Sequence, residues 1–517
     1  MCNLIKLFSL LLLSPAVLFA AGKAEHIVVV VWDGMRPDFI SREHTPTLHQ
    51  LAQEGVMFEK HHSAYITSTE VNGTAIATGQ NPEHSGIMAN KMYFPKVKPL
   101  ESSDTQASQI VLDCDHLSHG HYLLTPTLAE ILQAAGKKTV IAGTKQVALL
   151  HDRRQRPDTY TQGINLHEGK TLPGAALKPI TNLLNRFPGA VSTSGPTANE
   201  PRDQWTTRAM LGPLWTNGVP EFSLLWLSEP DFSLHAAGPG SPKAMAALES
   251  SDRKLALVLE ELKQRGIHAK TDVFVVSDHG FSTIGTSVNV ADQLTAAGFK
   301  AFRKFPAPPQ TGEILVIGQG GSVLFYVIGH DRNVIHKLVE FLQAQEFSGV
   351  ILTRKAMQGT FSLADARINT PNAPDVVLSM RWTADKSKTG VPGIFASDGG
   401  AIGRGNHASL SRFDLNNTLV AAGPDFKKGF KSSMPSGNMD LAPTILWLLD
   451  VKSPKPMDGR VLSEALTVKA PKVRQARTER ILARKAHENF VWQQYLQLSR
   501  VNKTVYLDEG NGSQVPK

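Results

Sequence analysis

Acidic and histidine residues follow several short apolar runs of this sequence, and such residues can bind metal ions or transfer protons. They are Asp33, Asp231 with His235, and Asp278 with His279. His407 adds another imidazole in a Gly-rich stretch. A single Asp after a strand is usually a turn former or a helix cap, and an isolated Asp–His pair usually lies in a solvated loop. Repetition after three separate runs favours a site for a divalent, zinc-like ion, which binds Asp and His without thiolates.

A group of hydroxyl residues at 67–69 precedes a helix-like run that ends near Gly79. A helix amino terminus presents free backbone N–H groups and the positive end of the helix dipole, and both favour a bound phosphate group. Thr69 is therefore a candidate nucleophile for phosphate chemistry. On local sequence alone an ordinary helix N-cap is the preferred explanation of the same residues.

The positions of these candidate residues in the fold depend on the secondary-structure elements that precede them. The runs at residues 26–32, 139–142, 222–227 and 272–276 are continuous apolar stretches typical of buried strands, and amphipathic stretches such as 241–264 lie between them. The pattern predicts an α/β fold with a mostly parallel central sheet and helices on both faces. Ligands of such sheets bind beyond the carboxyl ends of the strands, so the acidic and histidine residues are expected at one edge.

Two further regions differ in composition from the alternating pattern. Residues at about 283–400 are rich in Gly, Pro and short strands, and they are interpreted as a cap subdomain inserted into a catalytic domain at 22–465. The tail at 466–517 is charged and has a helical pattern as far as about residue 498. It is predicted to be a peripheral helical segment without a chemical role.

The bulk composition bounds the class of protein. The chain has 517 residues, of which 41% are hydrophobic and 19% charged, which suits a large packed core and excludes a disordered chain. The net charge of +8 comes from Lys and Arg spread along the chain. This favours small anionic substrates, and no nucleic-acid partner is expected, because that would require a concentrated basic patch. The oligomeric state is left open.

The first residues have the pattern of a secretory signal peptide, predicted at 1–21. Lys6 precedes an apolar stretch at 7–20, and small residues close it at Ala20, Ala21 and Gly22. The alternative is an uncleaved membrane anchor. Since Pro15 interrupts the stretch and it is short for a membrane span, we expect an exported protein of the periplasm or extracellular space with no span in its mature form. Removal of Cys2 would leave Cys114 as the single cysteine, so any metal must use His, Asp or Glu.

Taken in order, the motifs resemble the nucleotide pyrophosphatase/phosphodiesterase (type I phosphodiesterase) family of the alkaline phosphatase superfamily. Besides the Thr69 segment and the metal-type residues, they are DGMR at 33–36, TPTL at 45–48, PEHSGI at 82–87, EPD at 229–231, SDHG at 277–280, DLAPT at 440–444 and MDGR at 457–460. Each motif is short, but their order and combination are specific. The resemblance covers roughly residues 26–465 and implies an alkaline phosphatase-like fold.

The resemblance also implies the site. Two divalent metal ions, expected to be Zn²⁺, would each take three protein ligands. The ligands are Asp231, His235 and His407 for one ion, and Asp33, Asp278 and His279 for the other. Thr69 matches the nucleophile that contacts both ions and becomes phosphothreonine, and Asn90 matches the residue that holds a phosphoryl oxygen. The implied activity is hydrolysis of phosphodiesters or pyrophosphates, with monoesters as a further class.

Some positions depart from the family pattern. Leu234 and Ala408 stand where Gly is common, and Glu70-Val71 replaces a frequent Phe-Pro after the nucleophile. Lys145 matches the first residue of a Lys-x-Lys or Lys-x-Arg pair that contacts a charged substrate oxygen in some relatives, but Val147 occupies the second position. Lys145 is therefore predicted to bind substrate, with a solvent-exposed lysine at a strand end as the alternative.

Other activities of the same superfamily remain as alternatives. A sulfatase would need a Cys or Ser in a Cys/Ser-x-Pro-x-Arg segment, which Thr69-Glu70-Val71 does not offer. A phosphonate hydrolase or an envelope phosphotransferase could use the same nucleophile. A catalytically dead binding protein is disfavoured because the ligand set is complete.

Overall fold

The computed structural model describes residues 22–189 and 195–517. The predicted signal peptide, residues 1–21, lies outside the described part of the chain. Within that part, no helix combines the length and the apolar character needed to cross a membrane.

A nine-stranded sheet forms the centre of the molecule. Its strands, in chain order, are β1 (His26–Trp32), β2 (Val56–Phe58), β3 (Thr139–Gly143), β4 (Gly163–His167), β5 (Lys170–Leu172), β6 (Phe222–Leu227), β7 (Thr271–Val276), β8 (Leu419–Ala422) and β9 (Phe430–Ser432). Their spatial order is β9-β2-β8-β7-β1-β6-β3-β4-β5. The five strands from β7 to β4 run parallel, whereas β8 and β5 are antiparallel to their neighbours. The predicted α/β class with a mostly parallel sheet is confirmed.

The strand β1 shows why the sheet strands are continuously apolar. Ile27, Val29 and Val31 lie in one buried hydrophobic cluster. Val28 and Trp32 belong to a second cluster on the other face of the sheet. Because successive side chains of a strand point to opposite faces, a strand covered on both sides needs apolar residues at every position.

Helices cover both faces of this sheet, as predicted. The α-helices are Pro46–Glu54, Thr69–Thr78, Pro82–Ser85, Ser108–Leu117, Leu128–Ala134, Ala148–His151, Leu177–Leu184, Glu200–Leu211, Asp231–Ala237, Pro242–Gln264, Val290–Ala296, Arg332–Gln343, Arg412–Leu415 and Leu441–Leu448. The helix Pro242–Gln264 buries Leu248 and Leu255 on one face. The helix Leu441–Leu448 buries Ile445 on the other. The sheet is thus the middle layer of a three-layer core.

The region interpreted as a cap has sheets of its own. A six-stranded sheet contains, in spatial order, Ala301–Phe302, Ile314–Gly318, Ser322–Val327, Val376–Met380, Ser348–Thr353 and Phe361–Ser362. A four-stranded sheet contains Trp382–Lys386, Pro392–Asp398, Ser282–Val288 and Gly405–Asn406. Much of this region shares a separate hydrophobic cluster that includes Phe325 and Leu378. The last of these strands leads directly into His407, so the added sheets help to place that residue.

The prediction of a helical tail at 466–517 is wrong. Residues Arg477–Ala486, Phe490–Val501 and Thr504–Pro516 form a three-stranded antiparallel sheet. Trp492, Gln494 and Leu496 are buried while the residues between them are partly exposed, which is a period of two rather than 3.6. The many charged residues of the first strand lie on an exposed edge, and their spacing imitated a solvated helix face.

Candidate active site

Three parallel strands deliver carboxylates to one edge of the sheet. Asp33 follows β1, Asp278 follows β7, and Asp231 begins the helix Asp231–Ala237 shortly after β6. The loops touch each other, since the backbone N–H of Asp231 donates to the carbonyl of Asp33 at 3.0 Å. All three carboxylates are buried. The parallel order of the strands therefore produces the convergence that the sequence predicted.

Each carboxylate has one oxygen held by the protein and one left without a hydrogen bond. Asp33 Oδ2 accepts from Trp226 Nε1 at 2.8 Å, and Asp278 Oδ1 accepts from the backbone of Gly34 at 3.0 Å. Asp33 Oδ1, Asp231 Oδ1 and Asp278 Oδ2 are buried and have no hydrogen-bond partner. Buried carboxylate oxygens without partners are costly unless a cation binds them.

The three histidines are held in a common orientation by backbone carbonyls. The distances from Nδ1 to the carbonyl oxygen are 3.1 Å for His235 and Gly405, 2.9 Å for His279 and Gly280, and 2.8 Å for His407 and Thr67. Because a carbonyl can only accept, Nδ1 donates and Nε2 is left for another ligand. The Nε2 atoms lie 3.3, 3.3 and 3.7 Å from carboxylate oxygens of Asp231 or Asp278. Histidines that bind metals are oriented in this way by a second contact.

The protonation preferences of these groups fit a metal site. Burial raises the pKa of Asp33 well above its usual range, and the Asp278 carboxylate beside it raises it further. Burial raises the pKa of Asp278 to about 7. Burial lowers the pKa of His279 and of His407, so these imidazoles are neutral, as metal ligands must be. Burial opposes protonation of His235, but the Asp231 carboxylate raises its pKa above the usual value. A neutral Nε2 that faces a carboxyl group fits either a cation between them or a proton on that carboxyl group.

The donor set therefore offers two overlapping three-residue groups that could hold a metal ion without any thiolate. Ligand atoms of Asp33, Asp278 and His279 lie within 4.8 Å of one another, as do those of Asp231, His279 and His407. His279 thus lies between both groups, and its ring stacks on that of His407 at a centroid distance of 3.7 Å. His235 contacts Asp231 from the adjoining helix turn, at the (i, i+4) spacing that places both on one helix face.

Thr69 is the first residue of the helix Thr69–Thr78, and the preceding Ser68 occupies the N-cap position. Thr69 is buried, with its Oγ1 3.3 Å from His279 Nε2. Ser68, and not Thr69, therefore occupies the N-cap position, and the Ser68 side chain makes no capping hydrogen bond. The Thr69 hydroxyl instead lies at the helix amino terminus and against the metal-type ligands. A phosphate bound there would contact the free N–H groups of the helix and lie beside these ligands.

Asn90 lies beside the helix Thr69–Thr78. Its Oδ1 accepts a hydrogen bond from the backbone N–H of Glu70 at 3.2 Å. That contact fixes the orientation of the amide, because Oδ1 is engaged by the helix and Nδ2 is the donor left for another group. Asn90 is thus placed next to Thr69 with an amide donor available.

Lys145 reaches into the site from the loop after β3. Its Nζ lies 2.9 Å from Asp33 Oδ2, 3.1 Å from Asp231 Oδ2 and 3.4 Å from Thr69 Oγ1. The side chain is only 13% exposed, so it is not the solvent-facing strand end that was the alternative. Val147, at the position of the second cation, is buried, and its side chain occupies the space that a Cβ on Gly73 of the helix Thr69–Thr78 would need.

Two departures from the family pattern have structural consequences. Ala408 adopts a left-handed backbone with φ of 80°, which explains why Gly is favoured after the metal-type histidine. Glu70 is buried beside Thr69, its Oε2 has no hydrogen-bond partner, and burial raises its pKa well above the usual range. A neutral Glu70 avoids placing a further negative charge beside a bound phosphate.

Several residues that support the site had no signal in the sequence. Trp226 is the indole donor to Asp33, and Phe281 packs edge-on against His235 and His407 at centroid distances of 4.9 and 5.2 Å. Asn438 donates to the carbonyl of Asp278 at 2.6 Å. A Trp inside an apolar strand and an Asn in a distant loop are indistinguishable from core and turn residues until the chain is folded.

The fold and the site define an alkaline phosphatase-like α/β protein with an Asp- and His-lined site at the carboxyl edge of its sheet. The chain belongs to the type I phosphodiesterase/nucleotide pyrophosphatase family, whose sequence profile matches residues 27–389. The resemblance found in the sequence is thereby confirmed.

Relatives from animals share this similarity. The chain is 25% identical over 259 residues to bis(5'-adenosyl)-triphosphatase ENPP4 of Bos taurus, an alignment that covers 50% of this chain and 47% of that protein. It is 24% identical over 276 residues to ectonucleotide pyrophosphatase/phosphodiesterase family member 3 of Mus musculus, covering 52% and 26% of the two chains. The alignments span about half or less of the length of these curated relatives.

Solved structures show the same fold. Murine ectonucleotide pyrophosphatase/phosphodiesterase 5 superposes with a TM-score of 0.60 at 17% identity, covering 86% of this chain and 100% of that one. The inactive variant of that murine protein, in complex with AMP, matches with the same values.

Proposed function

We propose that this protein is an exported, two-metal hydrolase of phosphate esters that acts through a phosphothreonine at Thr69. The expected substrates are phosphodiesters or pyrophosphates, with phosphomonoesters as a further class. Membership of the phosphodiesterase family supports the reaction class, and the complex of a murine relative with AMP supports a nucleotide-like substrate.

One observation carries this proposal. A buried threonine hydroxyl at a helix amino terminus lies within 3.4 Å of an imidazole Nε2 and an ammonium group. Around it, three buried carboxylates each keep one oxygen without a hydrogen-bond partner. A structural threonine has no need of these surroundings, whereas an attacking hydroxyl and a phosphoryl group need all of them.

Two bound Zn²⁺ ions would lower the pKa of a hydroxyl or water and neutralise charge on the phosphate. The chain's own residues then have distinct tasks. Thr69 Oγ attacks phosphorus, the ester bond to the leaving group breaks, and water later hydrolyses the phosphothreonine. The amide of Asn90 and the free N–H groups of the helix amino terminus donate to the other phosphoryl oxygens. Lys145 offsets negative charge on the substrate.

The proposed export rests on the leader pattern at residues 1–21. Periplasmic or extracellular localisation is the corresponding proposal.

An activity panel tests the reaction class. Aryl phosphate diester, monoester, phosphonate and sulfate substrates should be compared at one enzyme concentration with zinc present. We expect diester turnover to be at least comparable to monoester turnover and to exceed sulfate turnover. Dominant sulfate hydrolysis would establish the sulfatase alternative, and no turnover of any substrate would favour the binding protein.

A further inference from the structure

A pair of buried carboxyl groups lies far from the active site. Asp272 is the second residue of β7, whereas Asp278 follows the other end of that strand, about 20 Å away at the usual rise per residue. Asp272 and Asp425 are both fully buried. The backbone N–H of Asp425 donates to Asp272 Oδ1 at 3.3 Å, and Asp272 Oδ2 has no hydrogen-bond partner.

The backbone at the start of the described chain contacts Asp425 through Lys23 and Ala24. Lys23 N lies 2.7 Å from Asp425 Oδ1 and 2.9 Å from Oδ2, and Ala24 N lies 3.0 Å from Oδ2. The ammonium of Lys23 points away and donates to Pro424 O and Thr467 Oγ1. Within residues 22–189 and 195–517, no salt bridge joins Asp272 or Asp425 to a cationic side chain.

Two buried carboxyl groups that form no ion pair are a costly arrangement unless one of them holds a proton. Burial raises the pKa of Asp272 to about 9, and the Asp425 carboxylate contributes to that rise. One positive charge beside Asp425 would relieve the pair. The single proton of the Lys23 amide is shared between two oxygens, whereas an ammonium at the same nitrogen has three protons to donate.

The sequence provides a way to place an ammonium at that nitrogen. Cleavage between Gly22 and Lys23 puts Gly22 and Ala20 at the two positions that signal peptidases require to be small. Cleavage after Ala21, the boundary predicted from the sequence pattern, would put Phe19 at the second of these positions, and cleavage after Ala20 would put Leu18 there. The boundary after Gly22 is therefore preferred.

We propose that a signal peptidase hydrolyses the Gly22–Lys23 bond and that the new α-ammonium of Lys23 forms an ion pair with the buried Asp425 carboxylate. Water supplies the hydroxyl to the Gly22 carbonyl and a proton to the Lys23 nitrogen, which takes up one more proton from solvent. The Asp272–Asp425 pair is thus a binding site, here called the socket, for the amino terminus that cleavage produces. This inference rests on the proposed export but not on the proposed chemistry.

The first test is the mass of the exported protein. The full chain should be expressed in a Gram-negative host and recovered from the periplasm, and its intact mass and amino-terminal sequence determined. We expect the chain to begin at Lys23. A chain that begins at any other residue, or that keeps its leader, would overturn the proposal.

The second test probes the ion pair. An α-ammonium paired with Asp425 should react slowly with an amine-acylating reagent, and Asp425→Asn should increase its acylation rate by about tenfold or more, as expected for a pKa lowered by about one unit. Thr467→Val is the matched control, because it removes a contact of the Lys23 side chain and leaves the carboxylate in place. Acylation at the same rate in all three proteins would show that the amine is free.

Since Asp425→Asn could impair folding, the wild-type protein gives an independent measurement. Its α-amine should be acylated at least about tenfold more slowly in the native state than in urea, corrected with a free peptide of the same first residues. Equal corrected rates would contradict the socket. Because Asp425 lies outside the active site, ester hydrolysis by the variant reports folding, so a failure of this proposal is distinguishable from a failure of the proposed function.

Discussion

Single side chains in this site owe their orientation to the backbone rather than to each other. Three carbonyl groups fix the Nδ1 atoms of His235, His279 and His407, which leaves three Nε2 atoms facing carboxylates. Such contacts hold ligands in place before a metal binds, so little rearrangement accompanies binding. The catalytic threonine proposed here is likewise held by helix geometry, since Thr69 begins the helix that presents its free N–H groups.

Replacement of Thr69 tests the covalent route. Thr69→Ala should lower kcat by about three orders of magnitude or more, because the attacking oxygen is lost while the metal ligands remain. Thr69→Ser should keep partial activity. Thr78→Ala is the matched control, as Thr78 is also buried and ends the same helix, where its hydroxyl donates to Thr74 O and accepts from the backbone N–H of Gln80. Steady-state kinetics with an aryl diester measure the effect, and near-normal turnover in Thr69→Ala would show that another group attacks.

Replacement of Lys145 tests which esters gain from its charge. A monoester dianion carries one more negative charge than a diester, so its transition state should gain more from an ammonium 3.4 Å from the nucleophile. We expect Lys145→Ala to lower kcat/KM for monoesters roughly tenfold more than for diesters. The exposed Lys170 provides a control for overall charge as Lys170→Ala. Equal losses on both substrate classes would remove Lys145 from substrate recognition.

At the scale of elements, the carboxyl-terminal sheet is an integral part of the protein rather than a loose tail. Trp492 is fully buried and its Nε1 donates to Gly359 O at 3.0 Å, which joins this sheet to the inserted region. Tyr506 donates to Asp440 Oδ2 at 2.8 Å, which joins it to the core near the closing motif. The tail thus connects two parts of the fold that are distant in sequence.

Truncation of Trp492 should therefore destabilise the protein. Trp492→Ala leaves a large cavity and an unsatisfied carbonyl, and the expected loss is about 3–5 kcal/mol. Leu482→Ala on the same sheet is the control, since Leu482 is 61% exposed and its loss should stay within about 0.5 kcal/mol. Urea denaturation followed by far-UV circular dichroism measures both variants. Equal midpoints would mean that the sheet contributes nothing to the stability of the core.

For the whole molecule, metal binding and folding should be coupled. Three buried carboxylates meet at the active-site edge, and Lys145 is the cation that contacts two of them in the described chain. Ions that occupy the site bind the native state and not the unfolded chain, so they stabilise the fold by mass action. Activity and thermal stability should therefore depend on the same ions.

Metal removal provides the corresponding prediction. The purified protein should contain about two zinc equivalents, one for each proposed ligand group. Chelation of the zinc should abolish turnover and lower Tm. Added zinc should restore both, with a gain of about 2.7 kcal/mol for each ion bound at a free concentration one hundred times its Kd. His407→Ala should keep fewer equivalents, whereas Thr78→Ala should keep the wild-type content. Full activity in protein shown by elemental analysis to be metal-free would contradict the proposed reaction.

The sequence by itself determined the α/β class, the parallel strands and the family, because these depend on local patterns. Continuous apolar runs are required of any strand covered on both faces, and short motifs kept in order identify the family. The candidate residues Asp33, Asp231 and Asp278 were visible because each follows such a run.

Only the tertiary structure decided how distant parts meet. The tail was predicted as helix because the spacing of charged residues on an exposed edge strand resembles that of a solvated helix face. The alternation of buried and partly exposed residues in the next strand becomes evident only when Trp492 and its neighbours pack against the rest of the fold. Lys145 could have faced solvent or the site, and the parallel placement of β3 beside β6 brings it to Asp231. The donors Trp226 and Asn438 became partners of the acids through packing between segments up to 193 residues apart. Contacts between remote segments depend on the folded chain path, which no local pattern encodes.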